Sequence, residues 1–210
     1  MANTCINQIK ITGDLKDLKT IHDKIENALR NGTNGYHRLN AKDFLNLFNV
    51  ENKCIPHDLR EDITDIDEIK DGVLRIWSES SWNFKQEIWR AFRTKFPEIK
   101  IYYLAEEFGN DVFETNDPTG TFFPQKFALD YEQVGNPDAG IEYFDSEEDL
   151  LKFCRKTFKK RYSSAENVKK KLDTYLWKQH EDNFAVLHEI TNADWNNCLH
   201  VDFNNKQGNL

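Results

Sequence analysis

The feature that most restricts the fold is a change of hydrophobic period near the start of the chain. Cys5, Ile9 and Ile11 lie on one face of a period-two segment, the pattern of a strand with one side buried. Gly13-Asp14 breaks that pattern. Beyond it Leu15, Leu18, Ile21, Ile25 and Leu29 recur at spacings of three and four, which puts them on one stripe of a helix. Asp14 can cap that helix. Asn31-Gly32-Thr33-Asn34-Gly35 ends it, because Gly and Asn tolerate positive φ.

The same grammar repeats downstream. Gly72 precedes Val73-Leu74-Arg75-Ile76-Trp77-Ser78-Glu79-Ser80, which reads as a strand. Trp82 to Phe96 reads as a helix with Phe84, Ile88, Ala91, Phe92 and Phe96 on one stripe, closed by Pro97. Ile99 to Ala105 is a further strand. A turn at Gly109-Asn110 joins it to a hairpin partner at Val112-Phe113-Glu114-Thr115. After a turn at Asn116-Asp117-Pro118-Thr119-Gly120, both Thr121-Phe122-Phe123 and Lys126 to Tyr131 are strand material. Phe44 to Ile55 reads as a short helix followed by a strand. Glu61 to Asp71, with six acidic residues and one lysine, reads as a short acidic helix or a loop. The order of elements is that of an α+β sandwich.

Gly135-Asn136-Pro137-Asp138-Ala139-Gly140 is the best linker candidate. Beyond it the pattern is helical. Asp145 or Ser146 caps a helix with Glu147, Glu148 and Asp149 in its first turn, where the dipole favours acids. Ser163 and Glu166 offer a capping box for the next, marked by Val168, Leu172, Tyr175 and Leu176. Phe184, Leu187 and Ile190 suggest a third helical stretch. The last residues, from about Lys206, read as frayed.

Charge divides the chain in the same place. The net charge is −8, yet residues 1–150 hold 17 basic and 29 acidic side chains, whereas residues 151–210 hold 11 and 7. Ten basic residues fall between Lys152 and Lys178, against only Glu166 and Asp173. An acidic body with a basic C-terminal segment implies two modules, or two surfaces of opposite sign. No apolar run is long enough to span a bilayer, and the first residues lack the basic and apolar regions of a signal peptide. A cytoplasmic protein without membrane contact is expected. The four cysteines, Cys5, Cys54, Cys154 and Cys198, form no CxxC and are expected to be buried thiols. In that setting the Asn31-Gly32-Thr33 sequon is only a turn.

Catalytic signatures are sparse. GxGxxG, GxxxxGK[ST], GxSxG, HExxH and CxxC are all absent. His180 and His188 are eight apart, about 12 Å of rise on one helix, too far to share a metal. No metal site and no cofactor is expected. Glu106 and Glu107, with Asp111 and Glu114 nearby, could do acid–base work or bind a cation, but are more often solvated edge charges. Trp77, Trp82 and Trp89 cluster around one strand–helix corner. They are a stacking platform or plain core, with Trp82 at the turn the one to watch. The sharpest feature is the basic face of 152–171. Lys152, Arg155, Lys156, Lys159, Lys160 and Arg161, then Lys169, Lys170 and Lys171, can neutralise several phosphates, dock on an acidic partner, or simply be solvated.

The opening Met1-Ala2-Asn3-Thr4-Cys5-Ile6-Asn7, followed by Ile9-Lys10-Ile11-Thr12-Gly13, resembles the YubB ferredoxin-like proteins carried by plasmids and phages. Leu74-Arg75-Ile76-Trp77-Ser78, Lys95-Phe96-Pro97, Tyr102-Tyr103, Glu106-Glu107 and Gly109 extend the resemblance over roughly residues 1–132. It implies a ferredoxin-like α+β fold and a bacterial mobile-element setting, and no known activity. Residues 1–132 are then expected to form a ferredoxin-like antiparallel sheet. The helices near 15–30 and 82–96 would cover one face. Residues 141–205 add a C-terminal helical extension or subdomain. The expected function is that of a non-enzymatic binding protein that engages a host protein, such as a defence component. The alternative is binding of a nucleic-acid backbone by the basic helix. Oligomeric state is left open.

Overall fold

Strand β1 (Thr4–Thr12) keeps the alternation of its sequence, with Cys5, Asn7, Ile9 and Ile11 buried on one face. The coordinates are a computed structural model that describes residues 3–32, 38–51 and 60–193. Helix α1 (Leu15–Arg30) begins at Asp14, whose carboxylate accepts the Lys16 N–H at 2.8 Å. Leu18, Ile21, His22, Ile25 and Leu29 form its buried stripe, while Leu15, in the first turn, stays exposed. Then come β2 (Leu39–Asn40), α2 (Ala41–Leu47), β3 (Glu61–Ile66), β4 (Val73–Ser81), α3 (Gln86–Arg93), β5 (Lys100–Glu107) and β6 (Val112–Thr115). The second half holds β7 (Phe127–Glu132), β8 (Gly140–Phe144), α4 (Glu147–Thr157), α5 (Ala165–Trp177), β9 (Phe184–Glu189) and β10 (Thr191–Asn192). The architecture is mixed α+β, with five helices among the described residues and none long and apolar enough to cross a membrane.

The strands form two sheets. The larger has the order β10-β6-β5-β1-β4-β3-β2, the smaller β8-β7-β9. Every pairing is antiparallel except β10 with β6. β1 is central and pairs with β4 and β5 along nearly its whole length. On one side of this sheet Phe44, Phe48, Ile88, Trp89, Phe92 and Phe96 pack with the α1 stripe into the first core. The hairpin between β3 and β4 turns at Asp71-Gly72, both at positive φ, which is the geometry that two-residue hairpins favour.

Several elements differ from the sequence reading. The acidic stretch after Arg60 is a strand, β3, over Glu61–Ile66. Glu61 and Ile63 point inward, and a register shift between Ile63 and Asp65 returns Ile66 opposite Ile76. Dense carboxylates concealed those few inward positions. Helix α3 is shorter than Trp82–Phe96. The N–H groups of Thr94, Lys95 and Phe96 each bond a carbonyl three residues back, so the tail is tight turns rather than α-helix. Phe122 and Phe123 belong to no strand. Their N–H groups are taken by the Asp117 carboxylate, which organises a loop. The cap of α5 is Ser164, which accepts from Asn167 N–H, while Glu166 pairs with Lys170 instead of closing a box on Ser163. Helix α2 starts three residues before Phe44. The strand expected to follow it, Cys54, Cys198 and the residues from Lys206 lie outside the described residues.

The C-terminal half differs most. The stretch Phe184–Glu189, read as a third helix, is strand β9, and it pairs with β7 from Phe127↔Glu189 to Glu132↔Phe184. β7 pairs with β8 on its other edge. Gly135–Gly140 is therefore the loop of a β7–β8 hairpin, and the strand placed at the end of the first module is the central strand of the second sheet. Helices α4 and α5 are present, and α4 starts at Ser146 as expected. Leu129, Tyr131, Leu150, Cys154, Phe158, Val168, Leu172, Leu176 and Leu187 make the second core between these helices and one face of that sheet.

The strand assignment makes a prediction. Leu187 is buried and Phe184 is half exposed, on opposite faces of β9. Leu187→Ala should cost about 2–4 kcal/mol in urea unfolding, and Phe184→Ser under about 1 kcal/mol. A helix would put both on one stripe; similar large costs at both positions would contradict the strand.

Candidate functional site

A three-stranded sheet has two faces, and among the described residues the helices cover only one. In the register of β8, β7 and β9, one row across the uncovered face is Ile141–Asp130–Val186 and the next is Tyr143–Ala128–His188. Glu132 and Phe184 make a third row. Ile141, Tyr143, Phe184 and Val186 are 39 to 45% exposed. Four large apolar side chains grouped on one face are unlike the isolated exposed apolar residues of ordinary surfaces.

The lower row is anchored to the larger sheet. The Tyr143 hydroxyl donates to Glu106 Oε2 at 3.0 Å, and the His188 ring stacks on Phe113 at 4.1 Å while its Nδ1 meets the Asp111 carboxylate. Backbone bonds add to this: Ala193 N–H reaches Thr115 C=O, and β10 pairs with β6. Ile6, opposite Glu106 in the register and 45% exposed, lies on the same side of the larger sheet and extends the apolar margin. Burial holds the Glu106 carboxyl above its usual range, against the Tyr143 hydrogen bond. Burial also raises Asp130, with His188 opposing. The face is thus apolar flanks around partly desolvated acids, a surface that suits an apolar partner bringing a cation.

The residues singled out from the sequence are distributed differently. Lys152, Arg155, Lys156, Lys159, Lys160, Arg161, Lys169, Lys170 and Lys171 are all exposed on α4, α5 and the segment between them. Some are engaged locally. Lys152 pairs with Glu148 at 2.8 Å, Lys170 pairs with Glu166, and Lys160 lies over the Tyr175 ring. Lys159, at φ 56°, ends α4 and donates to the Lys156 carbonyl. Lys156 and Lys159 line a cleft of about 780 Å³ together with the β7–β8 loop. Trp177, 59% exposed on α5, was not anticipated.

Trp77, Trp82 and Trp89 do not form one cluster. Trp89 is fully buried beneath α3, whereas Trp77 sits on the opposite face of β4. Trp82 is 47% exposed and held at φ 70° at the end of β4, a costly conformation for a bulky residue. Its N–H bonds the Asn3 carbonyl. The four acids near Glu106 also separate. Glu107 caps the N–H groups of Gly109 and Asn110, Glu114 takes the Tyr103 hydroxyl, Asp111 meets His188, and Glu106 meets Tyr143. His180 is exposed beside Asp182, and His188 is in β9.

The sequence reading missed the open face because it took β9 for a helix. The signal was available. Phe184-Ala185-Val186-Leu187 alternates strictly outward and inward, but four residues cannot separate period two from 3.6 without a partner strand. It also missed a buried polar group. Glu61 Oε1 accepts from Ser78 Oγ and Trp89 Nε1, both at 2.7 Å, and Asn7 Nδ2 donates to Ser78 and Ser80. Oε2 of Glu61 is buried with no partner among the described residues. Burial raises its pKa to about 7, against those two hydrogen bonds. No family model, no curated protein and no solved structure matches the chain.

The Glu61 shift sets the sign of a pH effect. A carboxyl raised in the folded state from 4.5 to about 7 favours folding fully at low pH and loses that contribution as pH rises through the interval. The loss is about 3 kcal/mol. Glu61→Gln should therefore match the wild type near pH 4.5 and exceed it in urea stability at pH 8. A parallel pH dependence in both proteins would contradict the shift.

Proposed function

We propose that the chain is a non-enzymatic binding protein of the YubB ferredoxin-like kind, borne by a phage or other mobile element, which engages a host protein in the cytoplasm. The strand order β5-β1-β4-β3, reached through β1, α1, β3, β4, α3 and β5, supports the ferredoxin-like part of this reading. The free buried thiols of Cys5 and Cys154 support a reducing compartment. Fold does not supply function, so the proposal is carried by a single surface feature. The uncovered face of the β8-β7-β9 sheet sets Ile141, Tyr143, Phe184 and Val186 around Asp130. The partner it suits presents an apolar surface with a Lys or Arg directed at Asp130. A cation there regains the Coulomb attraction that a desolvated carboxylate lacks.

A second reading, nucleic-acid-backbone binding, is favoured by the nine exposed cations of α4, α5 and the segment between them, and by the exposed Trp177 at the end of α5. One comparison separates the two. Wild-type protein, an Ile141→Glu/Val186→Glu variant and a Lys156→Glu/Lys159→Glu/Lys160→Glu variant are immobilised and exposed to bacterial lysate. The expected result is a protein retained in stoichiometric amount by the wild type and by the lysine variant, and lost from the face variant. Retention of nucleic acid that falls steeply with salt and vanishes in the lysine variant would overturn the protein-binding reading in favour of the second. A protein retained equally by all three would contradict both.

A further inference from the structure

Helix α1 carries, away from the surfaces above, a second arrangement of side chains with ligand chemistry. His22 and Glu26 are one turn apart, and Glu68, in the β3–β4 connection, reaches the same point. One donor atom from each lies within 4.8 Å of the others. The His22 side chain is nine-tenths buried on the α1 stripe, whereas that of Glu68 is 89% exposed. The His22 Nδ1 is 3.0 Å from the Asp23 carboxylate. With Nδ1–H donating to Asp23, Nε2 carries the lone pair, and it is directed at Glu68, whose Oε2 is 3.9 Å away, too far for a hydrogen bond. A carboxylate on the remote ring nitrogen is what orients and strengthens a metal-ligating histidine.

His22 Nε2, Glu26 and Glu68 bring three electron-pair donors to one point, and the buried imidazole nitrogen among them has no hydrogen-bond partner within reach among the described residues. We propose that His22 Nε2, Glu26 and Glu68 bind a first-row divalent cation of the Zn²⁺ class. One imidazole with two carboxylates suits that class, and tetrahedral zinc at its usual bond lengths needs donors about 3.4 Å apart. The donors reach that spacing by small rotations of the two glutamates, of which Glu68 is free to swing in solvent. Arg30 bonds Glu26 Oε1, so the cation competes with that ion pair for one carboxylate. Binding ties α1 to the β3–β4 connection.

The test is Zn²⁺ titration by calorimetry on the full chain, beside Co²⁺ absorption and melting curves, for the wild type, Glu68→Gln and Glu26→Gln. Glu68 is exposed, so its substitution leaves the fold intact. The expected result is saturable binding that weakens at least tenfold in each variant. Zn²⁺ should also raise the wild-type Tm by about 5 °C at a hundredfold excess over Kd, a rise lost in Glu68→Gln. No saturable binding up to millimolar Zn²⁺ would overturn the site. So would binding of equal strength in all three proteins, which would place the ion at other histidines or cysteines.

Discussion

The C-terminal half of the molecule depends on strand β7 being paired on both edges. Its six residues bond β8 on one side and β9 on the other. β9 arrives only after two helices, so its return to β7 fixes where α4 and α5 must lie. Their apolar stripes, Leu150, Cys154, Val168, Leu172 and Leu176, then cover one face of the sheet, and among the described residues no helix covers the other. Antiparallel sheets tolerate one face toward water, but that face is usually polar. Here it is not, and the departure from that rule is the basis of the functional proposal.

The first sheet was far more legible than the second. β1, α1, β4 and β5 are long segments with a single clear period, and each appears close to where its pattern puts it. The failures have physical reasons. β3 was hidden because its inward positions include Glu61, a buried acid that no pattern of apolar residues marks. β9 was hidden because a short apolar run has no period of its own until its pairing is known. Gly135–Gly140 reads as a linker on its Gly, Asn and Pro content, and with β8 unread its role as a hairpin loop within one sheet stayed hidden.

The charge division seen in the sequence corresponds to geometry only in part. The cations of 152–171 lie exposed on α4, α5 and the segment between them, and Lys152 and Lys170 are ion-paired on their own helices, so the field is weaker than their number implies. The acids of the first 150 residues are not one surface. Glu61, Glu106 and Glu107 are buried with separate partners, and Asp130 sits inside the apolar face. Most of the other described acids of this stretch are exposed, so the acidic character of the first 150 residues is carried by surface charge with a few buried exceptions. The candidate sites arise where such acids lack a full complement of partners.

The account rests most heavily on the claim that the β8-β7-β9 sheet has one covered and one open face. Carbene footprinting of the purified chain, read residue by residue, measures that directly. The account predicts strong labelling at Ile141, Tyr143, Phe184 and Val186 and little at Leu129, Ala185 and Leu187. Equal labelling along 184–187, or protection of the first set in the free monomer, would contradict it.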